Sequence, residues 1–282
     1  MSLVTNGFGM RSTSRSVPHS IAPVLEALEL DQPTLVTLGL LEEMIADTDA
    51  DVSADHAARM LRERGWLLPL RTSGVWEFAP GARAGAWGGG DPFIELRARL
   101  ATRPIDVAIA AESAAWLHGL STRAPDPHAI GAPSEVNIPK SLDHFRVVRW
   151  STAEPYEDND GLPVWSVSTL VAFMGARPER YRDWPNVSEW IATAAKRVAV
   201  ESLRHELADQ PRSGWARTSY LLSLGAQDEL GKELLSGAPA GSGPFHLGPR
   251  DMKSRFSSHF EVIDHIFPTW WSIKTTANSP TA

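Results

Sequence analysis

Between Ile21 and Phe78 the hydrophobic pattern changes period once, from helical to strand-like, and this change constrains the fold more than any other feature of the chain. Ile21, Val24, Leu25 and Leu28 recur at helical spacing, and Leu38, Leu41 and Ile45 do so again after Pro33. A third helix is predicted from Ser53 to Arg64, with Gly65 placed to end it in a left-handed conformation. Trp66 to Leu70 and Val75 to Phe78 then read as two short strands joined by Arg71-Thr72-Ser73-Gly74, a hairpin connection. Three helices followed by a hairpin is the order of a winged helix-turn-helix, expected here over residues 20–80.

On the third helix Ala54, Ala57, Ala58 and Leu61 form the inward stripe, leaving Ser53, His56, Arg59 and Glu63 outward and Arg62 near the border. The expected DNA-binding set is therefore Ser53, His56, Arg59 and Arg62 toward a major groove, with Arg71 on the wing against a phosphate. Small three-helix domains also bind protein through such a face, so the pattern admits both readings. Residues 1–19, rich in Ser, Gly and Thr with Arg11 and Arg15, read as a flexible arm.

Composition narrows the choice. The 282 residues are 43% hydrophobic and 22% charged, which excludes a wholly disordered or fibrous chain. There is no cysteine, hence no disulfide framework, thiolate metal site or cysteine nucleophile. No apolar run is long enough for a signal peptide or a membrane span, and the chain reads as cytoplasmic. Net charge is −7, with 7 Lys and Arg against 11 Asp and Glu up to residue 88 and 20 against 23 after it. Neither half carries the overall basic balance of a surface devoted to nucleic acid.

Residues 81–91 read as a Gly-rich linker, residues 92–272 as a larger α+β domain and residues 273–282 as a disordered tail. In the larger domain an amphipathic helix is expected over 92–100 and an apolar helix over 107–117, ended by Gly119. Strands are expected at Glu135 to Ile138, Phe145 to Trp150 and Leu162 to Val167, with helical periodicity after Ser168. The fold class is thus α+β, a winged helix followed by a mostly helical domain with a small sheet.

Catalytic patterns fail on spacing. The segment from Gly225 to Glu233 has one residue too many for a phosphate-binding loop and a carboxylate where a hydroxyl must stand. His205-Glu206 opens like a zinc-protease helix, but Asp209 replaces the second histidine. No Gly-x-Ser-x-Gly elbow occurs, and Glu135 and Lys140 are too far apart for a metal-nuclease set. The remaining histidines are scattered, and His118 reads as a packing or capping residue. Trp116, Trp184, Trp190 and Trp215 read as core. The Trp270-Trp271 pair is a possible partner surface. No enzyme activity, metal or cofactor is expected.

Three segments taken in order carry a resemblance: Leu61 to Leu67, then Gly74 to Pro80, then Ser113-Ala114-Ala115-Trp116-Leu117-His118-Gly119-Leu120. Together with Arg217-Thr218-Ser219-Tyr220-Leu221-Leu222 they resemble the AbiEi family of type IV antitoxins, over about residues 20 to 270 and closest to its long actinobacterial members. The resemblance implies a repressor that binds inverted repeats in its own promoter DNA through the winged helix. It also implies a C-terminal domain that counteracts a nucleotidyltransferase-like toxin, and self-association on DNA. The alternative is a stand-alone winged-helix regulator or protein-interaction module without a toxin partner.

Overall fold

Ser53 has extended backbone, and its hydroxyl accepts a hydrogen bond from the His56 amide at 3.4 Å, so the third helix starts where a side-chain cap is available. The computed structural model in which this is seen describes residues 17–48, 50–81, 90–250 and 254–267. It divides the chain into two compact units, Met1–Ile105 and Asp106–Ala282.

The first unit is a winged helix: α1 (Ala22–Asp31), β1 (Leu35–Thr37), α2 (Leu38–Asp47), α3 (Ala54–Glu63), β2 (Leu67–Pro69), β3 (Val75–Phe78) and α4 (Ile94–Thr102). The three predicted helices stand within a few residues of their expected limits, and Gly65 has φ +73 after α3. The wing is three-stranded where a two-stranded hairpin was expected, because Leu35–Thr37 pairs antiparallel with β3. A three-residue strand between two helices has too little sequence to show alternation. Proline at position 69 is tolerated because β2 is an edge strand. Ile21, Val24, Leu28, Val36, Leu41, Ala57 and Leu61 form the buried centre. Helix α4, expected to open the larger domain, packs instead on β1 and β3, and the units part between Ile105 and Asp106. Most of the expected linker, residues 82–89, lies outside the described residues.

The second unit comprises β4 (Ala108–Ile109), α5 (Ala111–Leu117), β5 (Ala129–Ala132), β6 (Arg146–Arg149), β7 (Glu157–Asn159), β8 (Leu162–Val164) and α6 (Val167–Ala176). It continues with α7 (Trp184–Ala195), α8 (Val200–Leu207), α9 (Arg212–Leu224), α10 (Asp228–Ser236), β9 (Phe245–Leu247), β10 (Arg255–Ser257) and β11 (Val262–Asp264). A mixed five-stranded sheet runs β6-β5-β4-β8-β7, and a smaller sheet runs β10-β11-β9. The class is α+β, as the sequence implies.

Two expectations are corrected. The apolar segment after Val107 holds the strand Ala108–Ile109, and the helix begins only at Ala111, which has φ +49 and turns the chain sharply off the sheet. Apolar runs of this length carry no period that separates strand from buried helix. Glu135 to Ile138 is not a strand but a connection between Pro133 and Pro139, exposed at Glu135 and Asn137 and half-buried at Val136 and Ile138, and its Val136 carbonyl accepts from Arg149 Nη1 at 2.8 Å. The strand that replaces it, Ala129–Ala132, is buried at all four positions and shows no alternation. Gly131 is required there, since a Cβ would stand 2.3 Å from the fully buried Trp165 ring.

Candidate nucleic-acid interface

In the first unit the inward stripe of α3, Ala54, Ala57, Ala58 and Leu61, is buried, and Ser53, His56, Arg59 and Arg62 are exposed on the opposite face. Asp55 and Glu63 share that exposure, so the face carries both signs of charge. Arg59 is braced from its own helix, with Nη2 2.9 Å from His56 Nδ1. Ser53 spends its hydroxyl on the helix cap. Arg59 and Arg62 also line a shallow 300 Å³ depression with Glu63, Leu67 and Pro69, at the junction of α3 and the wing.

The wing connection is held from beneath by a residue with no signal in the local sequence. Glu95 on α4 is buried, and its carboxylate accepts from the Arg71 amide at 2.7 Å and from the Thr72 hydroxyl at 3.5 Å. The side chain of Arg71 is exposed. The five expected residues therefore lie on α3 and the wing of one unit, and α4 fixes the wing.

The second unit contains a cleft of about 430 Å³ that sequence reasoning missed. Arg146 and Arg149 of β6 line it together with Arg177, Arg180 and Arg182, with Glu179 the one carboxylate among the described lining residues. Arg146 is tied to the buried carboxylate of Glu112 and donates to the Arg180 carbonyl at 3.2 Å. Burial pulls its guanidinium below the ordinary arginine range, with Glu112 opposing the shift and Arg182 adding to it. Arg177, Arg180 and Arg182 are exposed and have no carboxylate within ion-pair distance among the described residues. Three arginines within Arg177 to Arg182 were the available signal; their approach to β6 was not.

The motifs quoted above turn out to build the scaffold. Ser113 Oγ accepts from the Ala129 amide at 2.8 Å and so fixes the start of β5. Ala114 and Ala115 are fully buried. His118 Nε2 donates to the Trp165 carbonyl at 2.7 Å, and Gly119 ends the helix with φ +67. Arg217 Nη1 donates to the Gly175 carbonyl at 3.0 Å, and Tyr220 Oη donates to the buried Asp264 at 2.8 Å. The zinc-like His205-Glu206 pair is also structural. Glu206 is buried and accepts from Trp150 Nε1 at 3.0 Å, Thr169 Oγ1 at 2.8 Å and the Glu154 amide at 3.1 Å. Trp190 and Trp215 are buried, while Trp116 and Trp184 are half-buried. Trp270 and Trp271 lie outside the described residues.

Residues 107–224, which hold all of these scaffold motifs, match the family model described as AbiEi antitoxin C-terminal domain. This segment is similar to the AbiEi antitoxin C-terminal domain. The matched segment runs from the strand before the Ser-Ala-Ala segment to the end of the Tyr-Leu-Leu helix, so it contains the whole five-stranded sheet. The chain is also similar in fold to the crystal structure of the RV2827C protein from Mycobacterium tuberculosis. The TM-score is 0.75 at 23% identity, covering 94% of this chain and 97% of that one. No curated protein matches the chain. Among the described residues no helix is long and apolar enough to cross a membrane.

Proposed function

We propose that this protein is the antitoxin of a type IV pair that represses its own operon, binding inverted repeats in promoter DNA through the winged helix. The observation that carries the DNA reading is the exposed α3 face, where Arg59 and Arg62 stand beside a wing fixed by Glu95. The match of residues 107–224 to the AbiEi antitoxin C-terminal domain supports the antitoxin role; in this reading the domain counteracts a nucleotidyltransferase-like toxin and works without catalysis. Its arginine cleft gives the second unit a phosphate-attracting surface of its own. With 7 Lys and Arg against 11 Asp and Glu up to residue 88, binding is modest, salt-dependent and reliant on self-association on DNA. Trp270 and Trp271 are the candidate surface for the protein partner.

A gel-shift titration against the DNA upstream of the gene, with scrambled DNA as competitor, tests the repressor reading. Specific retardation at physiological salt supports it. A folded protein that shows none belongs to the alternative class, a winged-helix module that binds protein. Co-expression with the adjacent gene tests the toxin, with restored growth as the expected result.

A further inference from the structure

A separate cavity of about 920 Å³ in the second unit lies between the turn Pro178–Arg180, the start of α7, strand β9 and the segment after β11. That volume falls within the range of small-molecule sites, roughly 300–1,000 Å³. One wall is aromatic and held in place. Trp184 Nε1 donates to the Pro178 carbonyl at 2.9 Å, and its ring meets Tyr181 and Phe267 edge-to-face at 5.3 and 5.9 Å. Tyr181 is 2% exposed, and its hydroxyl has no hydrogen-bond partner among the described residues. Buried hydroxyls without a partner are uncommon in folded proteins.

The facing wall is cationic. Arg217 reaches in from α9 and Arg250 from beyond β9, beside the imidazoles of His246 and His265, which stack with 2.8 Å between Nδ1 and Nε2. Among the described residues neither arginine has a carboxylate within ion-pair distance, and Glu179 is the one acid lining the cavity. Two guanidinium groups against one carboxylate, facing a fixed indole, form a site for a molecule with a flat apolar body and a negative end.

We propose that this cavity binds a small aromatic anion, its ring against Trp184 and its carboxylate or phosphate on Arg217 and Arg250, giving the second unit an effector site. The site is independent of the DNA and toxin reading.

The test is saturation-transfer NMR on the full chain, with indole-3-acetate and adenosine monophosphate as probes. Indole and adenosine serve as controls, and inorganic phosphate is added as a competitor. Saturation transfer to the ring protons of either anion, weakened about tenfold or more in R217Q/R250Q, is the expected result. Transfer to indole-3-acetate alone assigns a carboxylate ligand, and transfer to adenosine monophosphate alone assigns a phosphate ester. The proposal is overturned if neither anion binds, or if an equal concentration of inorganic phosphate removes the saturation transfer to adenosine monophosphate as effectively as unlabelled competition by the nucleotide itself would. It is equally overturned if both anions bind unchanged to an R217Q/R250Q protein of native circular dichroism, since the arginine cleft at Arg146 would then be the site. Because R250Q alters an exposed position, it serves as the second variant should R217Q fail to fold.

Discussion

His118 Nε2 donates to the main-chain carbonyl of Trp165 at 2.7 Å, joining the end of α5 to the residue that follows β8. The bond is made by a half-buried side chain to a fully buried residue, so its loss leaves a carbonyl without a partner away from water. The histidine of the Ser-Ala-Ala-x-x-His-Gly-Leu segment thus has a structural task. His118→Ala is expected to lower stability by about 1–3 kcal/mol, an unfolding midpoint lower by a few degrees, while DNA binding is unchanged. A thermal melt that matches the parent protein would remove this role.

Gly175 lies where α6 packs closely against α9. A Cβ added there would stand 2.6 Å from the Thr218 amide nitrogen on α9, and the obstacle is backbone that no rotamer change can clear. Gly175→Ala is therefore expected to destabilise the fold by about 1–3 kcal/mol through overpacking. Urea unfolding measures this, and a midpoint equal to that of the parent would show that α6 and α9 separate freely.

Arg59 is exposed on α3 and oriented by His56. Arg59→Ala should weaken specific operator binding by about 1–3 kcal/mol with native circular dichroism. Arg71→Ala should instead lower affinity evenly across sequences and flatten the salt dependence, as loss of a phosphate contact does. Fluorescence anisotropy at several salt concentrations distinguishes the two, and equal affinity of both variants with the parent would place the interface elsewhere.

His246 is held below the ordinary histidine range, first by burial and then by Arg250, His265 and Arg217. The sign follows directly. As pH falls through 6.5, the unfolded histidine takes up a proton before the folded one does, so its contribution to stability declines with acid. Denaturant midpoints measured from pH 7 to pH 5 should fall, and His246→Gln should make that fall shallower. An unchanged slope in the variant would mean that other groups govern the acid limb.

The amino-acid sequence alone determined the winged helix, because each of its helices has a local signal: an amphipathic stripe, the Ser53 cap and Gly65 in the left-handed region. It also determined which face of α3 is exposed, since helical spacing sorts Ala57 and Leu61 from His56 and Arg59. Strands such as Leu35–Thr37 and Ala129–Ala132 were decided by the tertiary structure. The first is too short for any period, and the second is buried on both faces and, Ile130 apart, built of residues with little strand preference. Pairing over long separations likewise decided the roles of Glu95 beneath the wing, Glu112 against Arg146, and His118 beneath Trp165. The arginine cleft and the aromatic cavity arise the same way. Each joins segments far apart in the chain, and their chemistry exists only once packing has brought those side chains together.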